Sequence, residues 1–328
     1  MFPRAMSASL PRLTRFADGI TAVDTEYVRP QMDASHVVVA GSRAAIVDTG
    51  PNTAVPLILA ALELLGVAPD AVEFLFLTHV HLDHAGGAGA LMRALPNATA
   101  VVHPRGAPHM VDPAKLIAGT RAVYGAELYS TLYGEILPID RERLKIAQDG
   151  ARFSLAGREF ECVHTPGHAL HHQAIVDHGA NAIFTGDTFG LSYREFDTAK
   201  GPWIMPTTTP TQFDPGQLKA SIVRLMQFRP RKLYLTHYSE VGDCPRLAND
   251  MVDAVDEFVR VARAAGPDVA RDARSGISRL RFELHRLAHE SLREHGCKLG
   301  DAQIDAILNK DFELNAAGLV AWLQREGR

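Results

Sequence analysis

Residues 74–87, FLFLTHVHLDHAGG, form an apolar run that ends in three histidines, one aspartate and several small residues. The apolar run predicts a buried strand, and side chains two positions apart on extended backbone point to the same side. His79 and His81 can therefore offer two imidazoles to one metal ion. Asp83 and His84 follow at the turn into a helix, where they can face a second ion. Three imidazoles and a carboxylate suit Zn²⁺, and also Fe or Mn, so this stretch predicts a metal centre.

Three later strand ends carry the same kinds of side chain. The motif HTPGH ends in His168, FTGDT contains Asp187, and LTHY contains His237. Ligands at the tips of several strands, each on a loop, are what a rigid scaffold with a metal at its edge requires. Together with the first cluster, these positions predict one metal centre rather than a chance histidine-rich turn.

The chain divides into two parts by its pattern of apolar residues. Residues 1–245 indicate a mixed α/β domain, and residues 246–328 an appendage of amphipathic helices. Strands are predicted at 20–28, 35–41, 43–50, 72–79, 98–104, 151–155, 158–165, 172–178, 181–187 and 232–237. Helices are predicted at 54–66, 88–95, much of 105–136 and 215–228, with a long loop at 188–214.

The motifs THVHLDH, VDTG, TPGH and FTGD and the strand-end histidine occur in an order that resembles the metallo-β-lactamase-fold hydrolase superfamily, over about residues 18–240. The resemblance implies a four-layer αββα sandwich, followed here by a C-terminal α-helical extension. It also implies that Asp48, in VDTG, is a buried residue that orients ligands. By the same resemblance, one metal is assigned to His79, His81 and His168, the other to Asp83, His84 and His237, and Asp187 bridges both.

This ligand set implies a hydrolase with two divalent ions, zinc by default and iron or manganese as alternatives. Two ions that share a carboxylate supply a bridging hydroxide near neutral pH, which would attack a carboxylic ester, lactone or thioester without a covalent enzyme intermediate. Asp83 is the candidate to move the proton. Tyr193, soon after Asp187, is the candidate to hold the substrate carbonyl oxygen or the oxyanion. His172, four residues after His168, is predicted to support a ligand.

The complete ligand set resembles the branch that contains glyoxalase II-type thioesterases, homoserine-lactone lactonases, phosphodiesterases and nucleases. Antibiotic hydrolysis is disfavoured, because true β-lactamases of this fold commonly replace some of these ligands. One alternative function is a phosphodiesterase or nuclease with the same ions. A second is a non-catalytic binding or regulatory protein that has kept the metal site.

Composition indicates which class of partner and which cellular location to expect. The net charge of −4 and the absence of a compact Lys/Arg patch argue against a nucleic-acid partner, so a small-molecule substrate is expected. Three scattered cysteines predict reduced thiols and a cytoplasmic location. The first residues lack the apolar core of a secretory signal, and no apolar run is long enough to predict a membrane span.

The helical tail resembles the tails of glyoxalase II and the quinolone-signal response protein, which cover the active-site mouth. Leu280, Leu284 and Leu287 lie at helical spacing and indicate a homodimer surface as an alternative use. Five arginines between Arg271 and Arg286 could meet an acidic substrate, but interleaved acidic residues favour a solvated helix face. In the loop that contains Tyr193, four apolar residues could line a pocket or simply pack on the core: Phe196, Trp203, Ile204 and Met205.

Overall fold

In the computed structural model, which describes residues 10–208 and 211–327, two mixed β-sheets form the centre of the protein. The first sheet contains seven strands in chain order, β1 to β7. They are β1 Leu13–Arg15, β2 Ile20–Asp24, β3 Ala34–Ala40, β4 Arg43–Val47, β5 Val72–Phe76, β6 Thr99–Val102 and β7 Leu144–Ile146. The pairings up to β4 are antiparallel, and those from β4 to β7 are parallel.

The second sheet contains six strands in the order β13-β12-β11-β10-β9-β8. They are β8 Ala151–Leu155, β9 Arg158–His164, β10 Gln173–Asp177, β11 Ala182–Leu191, β12 Lys232–His237 and β13 Ser239–Val241. Only the pairing of β11 with β12 is parallel, and a helix over Pro215–Met226 crosses between these two strands. Parallel neighbours need such a crossover connection.

Helices cover the outer faces of both sheets and form the tail. They are α1 Val55–Leu64, α2 Leu82–Ala85, α3 Ala88–Ala94, α4 Ala107–Val111, α5 Ala114–Tyr124, α6 Ala126–Tyr133, α7 Pro215–Met226, α8 Cys244–Ala264, α9 Gly266–Arg271, α10 Ala273–His295 and α11 Asp301–Glu326. The α10 helix begins at an Asp272 side chain that accepts the Ser275 N–H, and it ends at Gly296 in the left-handed region. No helix in the described ranges is long and apolar enough to cross a membrane.

Four layers follow from the alternation of side chains along each strand. On β4, Ala45 and Val47 point into the core between the sheets, whereas Ala44 and Ile46 point toward the helices on the other side. The core between the sheets is rich in aromatic residues. The outer face of the second sheet packs against α7 and against the tail helices, which begin with α8. The predicted four-layer αββα sandwich with a C-terminal helical region is confirmed.

Differences from the predicted elements lie mostly at their ends. The β11 strand runs to Leu191, so the predicted loop begins four residues later than expected; residues 209–210 of that loop lie outside the described residues. A register shift around Gly186 lets β11 stay paired with β12 as far as the Leu191–His237 pair. The tail begins at Cys244 rather than at residue 246, and it contains the additional short helix α9.

The tail packs its apolar side chains inside the same chain. Leu280 and Leu284 are fully buried in one core with side chains of α8 and α11, and Leu287 packs against that core. The leucine stripe predicted as a homodimer surface is therefore already covered, and a homodimer stays a prediction without this surface. Arginines of α10 pair along their own helix, as Arg279 and Arg286 do with Glu283.

Candidate metal centre

Strand ends bring all seven predicted ligands to one edge of the sandwich. His79 and His81 follow β5, and His81 precedes the short helix α2 that carries Asp83 and His84. His168 lies in the loop after β9, Asp187 lies within β11, and His237 ends β12. Because each residue sits at or just beyond a strand of a packed sheet, its backbone is fixed by the sandwich. The local spacing in the sequence predicted this grouping.

Three of the ligands form one compact group of nitrogen donors. His81 Nδ1 lies 2.9 Å from His79 Nε2 and 3.1 Å from His168 Nε2. Ligands of a tetrahedral zinc ion with bonds near 2.0–2.1 Å lie about 3.3 Å apart. The group therefore has the spacing of a three-histidine site.

The Asp187 carboxylate joins this group to a second one. Its Oδ2 atom lies 3.4 Å from His168 Nε2, and its Oδ1 atom lies 3.2 Å from His84 Nε2 and 3.6 Å from His237 Nε2. The Asp83 Oδ2 atom lies 3.9 Å from the same nitrogens of His84 and His237. Each oxygen of Asp187 thus faces a different set of ligands, as a bridging carboxylate would.

The chemistry of these side chains fits divalent ions. His84 Nε2 and Asp187 Oδ1 are buried and make no hydrogen bond, although buried polar atoms are nearly always satisfied. Burial and the neighbouring imidazoles hold the pKa of His79 and of His81 well below the usual value, so these rings are neutral and keep a free lone pair. Burial alone would raise the pKa of Asp187, but the surrounding histidines hold it well below its usual range. Neutral imidazoles and an ionised carboxylate are the forms that bind metal.

Asp48 supports the second group of ligand atoms, which comes from Asp83, His84 and His237, through a contact with His84. Its Oδ1 atom accepts the Thr78 N–H at 2.8 Å, and its Oδ2 atom accepts the hydroxyls of Thr78 and Thr236 at 2.7 and 3.0 Å. Oδ2 also lies 3.1 Å from His84 Nδ1. A carboxylate on Nδ1 keeps the proton there and leaves Nε2 free for a metal. Asp48 therefore lies where it can orient the His84 ring, and its role toward a bound metal stays a prediction.

His172 supports the backbone of Asp187 and does not join either ligand group. Its Nε2 atom accepts the backbone N–H of Asp187 at 3.0 Å, and its Nδ1 atom lies 2.7 Å from the Thr165 hydroxyl. Gly186 makes this contact feasible, because a Cβ there would lie 2.6 Å from His172 Nε2, and its φ is +49°. His172 therefore fixes the backbone that carries Asp187.

The C-terminal helix α11 supports His168 through a loop. His168 Nδ1 donates to the Thr207 carbonyl oxygen at 3.2 Å. The next residue, Thr208, donates its backbone N–H to Asn315 Oδ1 at 2.6 Å, and Asn315 Nδ2 donates to the Pro206 carbonyl oxygen at 3.0 Å. Asn315 is 3% exposed, so no water replaces these bonds easily. The tail thus holds the loop that orients a predicted ligand.

A cavity of about 300 Å³ opens over the two groups. Its floor contains His81, Asp83, His168, Asp187 and His237. Its walls come from three distant segments, namely residues 27–32, helices α5 and α6, and helix α11, and include Tyr27, Met32, Leu116, Tyr124, Tyr133 and Leu314. The sequence-based interpretation missed these walls. The tyrosines of YGAELYSTLY were visible in the sequence, but nothing in their spacing pointed to the metal motifs.

Tyr193 is not among the residues that line this cavity. It is fully buried, its hydroxyl donates to Asp311 Oδ1 at 3.4 Å, and the Arg29 guanidinium lies 4.3 Å from its ring centre. The residue before it, Ser192, donates its N–H to the His237 carbonyl oxygen. The loop that follows packs against the tail helices. Tyr193 is therefore placed to hold Asp311 rather than a substrate oxygen.

The apolar residues of the same loop pack on the tail helices instead of lining the cavity. Phe196 and Trp203 meet edge to face at 5.3 Å, and the Trp203 indole donates to the Ser291 hydroxyl of α10. Ile204 and Met205 are also buried in this core. The packing alternative is correct for these four residues, because the tail covers the loop from outside.

Residues 29–237 match the family model described as the metallo-beta-lactamase superfamily. The metallo-beta-lactamase fold-containing protein ST1585 of Sulfurisphaera tokodaii is 26% identical over 172 residues, which are 51% of this chain and 61% of that protein. Hydroxyacylglutathione hydrolase of Xanthomonas euvesicatoria is 30% identical over 196 residues, 59% of this chain and 58% of that protein. Atrochrysone carboxyl ACP thioesterase of Aspergillus fumigatus is 29% identical over 117 residues, 36% of this chain and 27% of that protein. Each match spans less than two thirds of the relative.

Solved structures show the same fold over nearly the whole chain. An archaeal metallo-beta-lactamase superfamily protein, ST1585 from Sulfolobus tokodaii, superposes with a TM-score of 0.63 at 20% identity, and covers 92% of this chain and 98% of its own. The metallo-beta-lactamase family protein TTHA1429 from Thermus thermophilus superposes with a TM-score of 0.62 at 17% identity and covers 94% of each chain. At such identities the likeness establishes the fold alone.

Proposed function

This chain belongs to the metallo-beta-lactamase superfamily, and from that premise we propose that it is a hydrolase of a carboxylic ester, lactone or thioester that works with two divalent metal ions. The observation that carries the proposal is the Asp187 carboxylate, whose two oxygens face two separate groups of ligand atoms. Relatives named as a thioesterase and as hydroxyacylglutathione hydrolase support the thioester within this class.

The histidine and aspartate side chains can be divided between two metal ions. His79, His81 and His168 would hold one ion, Asp83, His84 and His237 the other, and Asp187 both. Zinc suits such imidazole-rich sites, and iron or manganese would also be accepted. Ions held by these residues would supply a water of lowered pKa for the attack and would polarise a substrate oxygen.

Asp83 is suited to move a proton in this reaction. It is the cavity-floor carboxylate with the more exposed side chain, at 22% against 5% for Asp187. A carboxylate open to the cavity can reach both the attacking water and the leaving group. We therefore assign Asp83 the transfer of the proton to the departing oxygen or sulfur.

Tyr27 and Tyr133 are suited to hold the substrate oxygen, the role first assigned to Tyr193. Their hydroxyls lie 2.7 Å apart and both residues line the cavity. When one hydroxyl donates to the other, the second keeps a proton that it can donate to a substrate. Burial and the charge of Asp83 raise the pKa of Tyr27 well above its usual value, so the phenol remains a donor at neutral pH. Such a donor stabilises charge that develops on a carbonyl oxygen.

The cavity supports a small-molecule substrate. Its volume of about 300 Å³ lies at the lower end of ligand pockets, and leucine, methionine and tyrosine side chains form much of its wall. An acyl chain or lactone ring would bury apolar surface there. A polynucleotide would need an open basic groove instead.

The deciding experiment measures proton release from a panel of esters, lactones, thioesters and phosphodiesters, with protein of known metal content. We expect turnover of one carboxylic class that His81→Ala abolishes. His178→Gln is the control, because His178 does not line the cavity and pairs with Glu161. Turnover of phosphodiesters alone would support the phosphodiesterase alternative. No turnover by fully metallated protein would support a binding or regulatory role.

A further inference from the structure

A second cluster of metal-binding side chains lies between the two longest helices of the tail, away from the cavity. Helix α10 carries His285 and His289 one turn apart, and their rings stack with centres 4.0 Å apart. From α11, the Asp305 Oδ1 atom lies 2.8 Å from His285 Nε2 and 2.9 Å from His289 Nε2. We propose that these three residues bind an additional divalent ion of the zinc class, which joins α10 to α11.

The surroundings of His289 favour a bound cation. Its other ring nitrogen, Nδ1, lies 3.3 Å from Asp301 Oδ1, and Asp301 is held by Arg293. If His289 Nε2 carried the proton and donated to Asp305, a neutral ring would direct the Nδ1 lone pair at the Asp301 oxygen. One nitrogen of a neutral ring therefore faces a carboxylate oxygen with no hydrogen between them, and a cation bound at Nε2 would remove this mismatch while Nδ1–H donates to Asp301. A carboxylate on the non-ligating nitrogen is the usual partner of a metal-bound histidine.

The cluster has the reach and the opening that a metal site requires. All three donor atoms lie within 4.8 Å of one another. Their contacts need to widen by only about 0.4 Å to reach the spacing of a tetrahedral zinc site. The side chain of His289 is 6% exposed, whereas those of His285 and Asp305 are 40% and 34% exposed. The ion can therefore enter from solvent, and a water can complete its coordination.

A bound ion would restrain the helix that forms one wall of the cavity. Asp305 precedes Asp311 by six residues on α11, about 9 Å along the helix axis. Phe312 of α11 packs against the His285 ring with centres 5.6 Å apart. The site would thus fasten α11 to α10 close to the residues that line the cavity. The additional ion would bind whatever substrate the central site accepts.

The test counts zinc ions bound by the full-length protein in competition with a chromophoric chelator. We expect the wild type to bind one more ion per chain than Asp305→Asn or His289→Gln, and His178→Gln to bind as many as the wild type. Asp305→Asn keeps the size of the side chain and one acceptor oxygen, so it should leave the fold intact. Asp301→Asn should weaken the additional site about 10- to 100-fold without removing it.

Thermal unfolding provides the second measurement. Added zinc should raise the Tm of the wild type, beyond the effect of filling the central site, and should not do so in Asp305→Asn. Equal zinc counts in the wild type, Asp305→Asn and His289→Gln would overturn the proposal and leave the cluster as direct hydrogen bonds between α10 and α11. An equal zinc-dependent rise of Tm in the wild type and Asp305→Asn would overturn it as well.

Discussion

Replacing Asp48 by asparagine should disable one metal ligand without changing the size of any side chain. The carboxylate is 1% exposed and receives four hydrogen bonds, three of them at Oδ2. An amide nitrogen at Oδ2 cannot accept the proton on His84 Nδ1. If the amide group rotates by 180°, its nitrogen faces the Thr78 N–H instead. One donor is therefore left unsatisfied in either orientation.

The less costly response is a change of tautomer in His84. With its proton on Nε2, the ring can accept from the new amide through Nδ1, but Nε2 then has no lone pair for a metal. Loss of such a supporting partner typically reduces metal affinity or activity about 10- to 100-fold. This range corresponds to about 1.4 to 2.7 kcal/mol. We expect Asp48→Asn to weaken metal binding by this amount and to lower kcat/KM similarly.

The assay is metal retention during dialysis against a graded series of chelator concentrations, with kcat/KM measured on the same samples. Thr236→Val is the matched control, since it removes one of the bonds to Oδ2 and leaves the contact with His84. It should change metal affinity less than Asp48→Asn does. Metal affinity of Asp48→Asn within twofold of the wild type, in folded protein, would refute the tautomer argument.

Three further predictions concern the cavity, the tail and acid stability. Tyr27→Phe removes a cavity hydroxyl and should lower kcat about 100- to 1000-fold with little change in KM. Tyr129 is buried but does not line the cavity, so Tyr129→Phe should leave kcat unchanged. Asn315→Ala leaves the Thr208 N–H unsatisfied, so urea unfolding should show a loss of about 1–3 kcal/mol, and metal retention should fall. Burial lowers the pKa of His36 from 6.5 to about 4, so its contribution to stability is complete above about pH 6.5 and is lost as the pH falls toward 4. Across that interval the wild type should lose roughly 3 kcal/mol more unfolding free energy than His36→Gln, and equal losses would contradict this.

The ligand groups could be predicted because their geometry is local. Strand alternation places His79 and His81 on one side, and each later ligand sits at the end of its own apolar run. The cavity wall could not be predicted in this way, since its tyrosines come from segments about a hundred residues apart, as the Tyr27–Tyr133 pair illustrates. Tyr193 follows Asp187 closely in sequence, yet the turn after β11 takes its side chain to Asp311. Closeness in sequence to a metal ligand therefore predicts membership of the site only for residues on the same strand or directly at its end.

The tail is separate from the first domain in sequence, but hydrogen bonds connect it to the loop beside the candidate metal centre. Several hydrogen bonds join the segment after Asp187 to α10 and α11, among them those from Tyr193 to Asp311, from Trp203 to Ser291, and from Thr208 to Asn315. The last of these lies one residue from the carbonyl that orients His168. A chain that ended near residue 245 would keep every predicted metal ligand but would lose the partners of this segment and one wall of the cavity. Changes in the tail that alter substrate choice must therefore preserve Asn315, because the same helix that shapes the cavity also supports the metal centre.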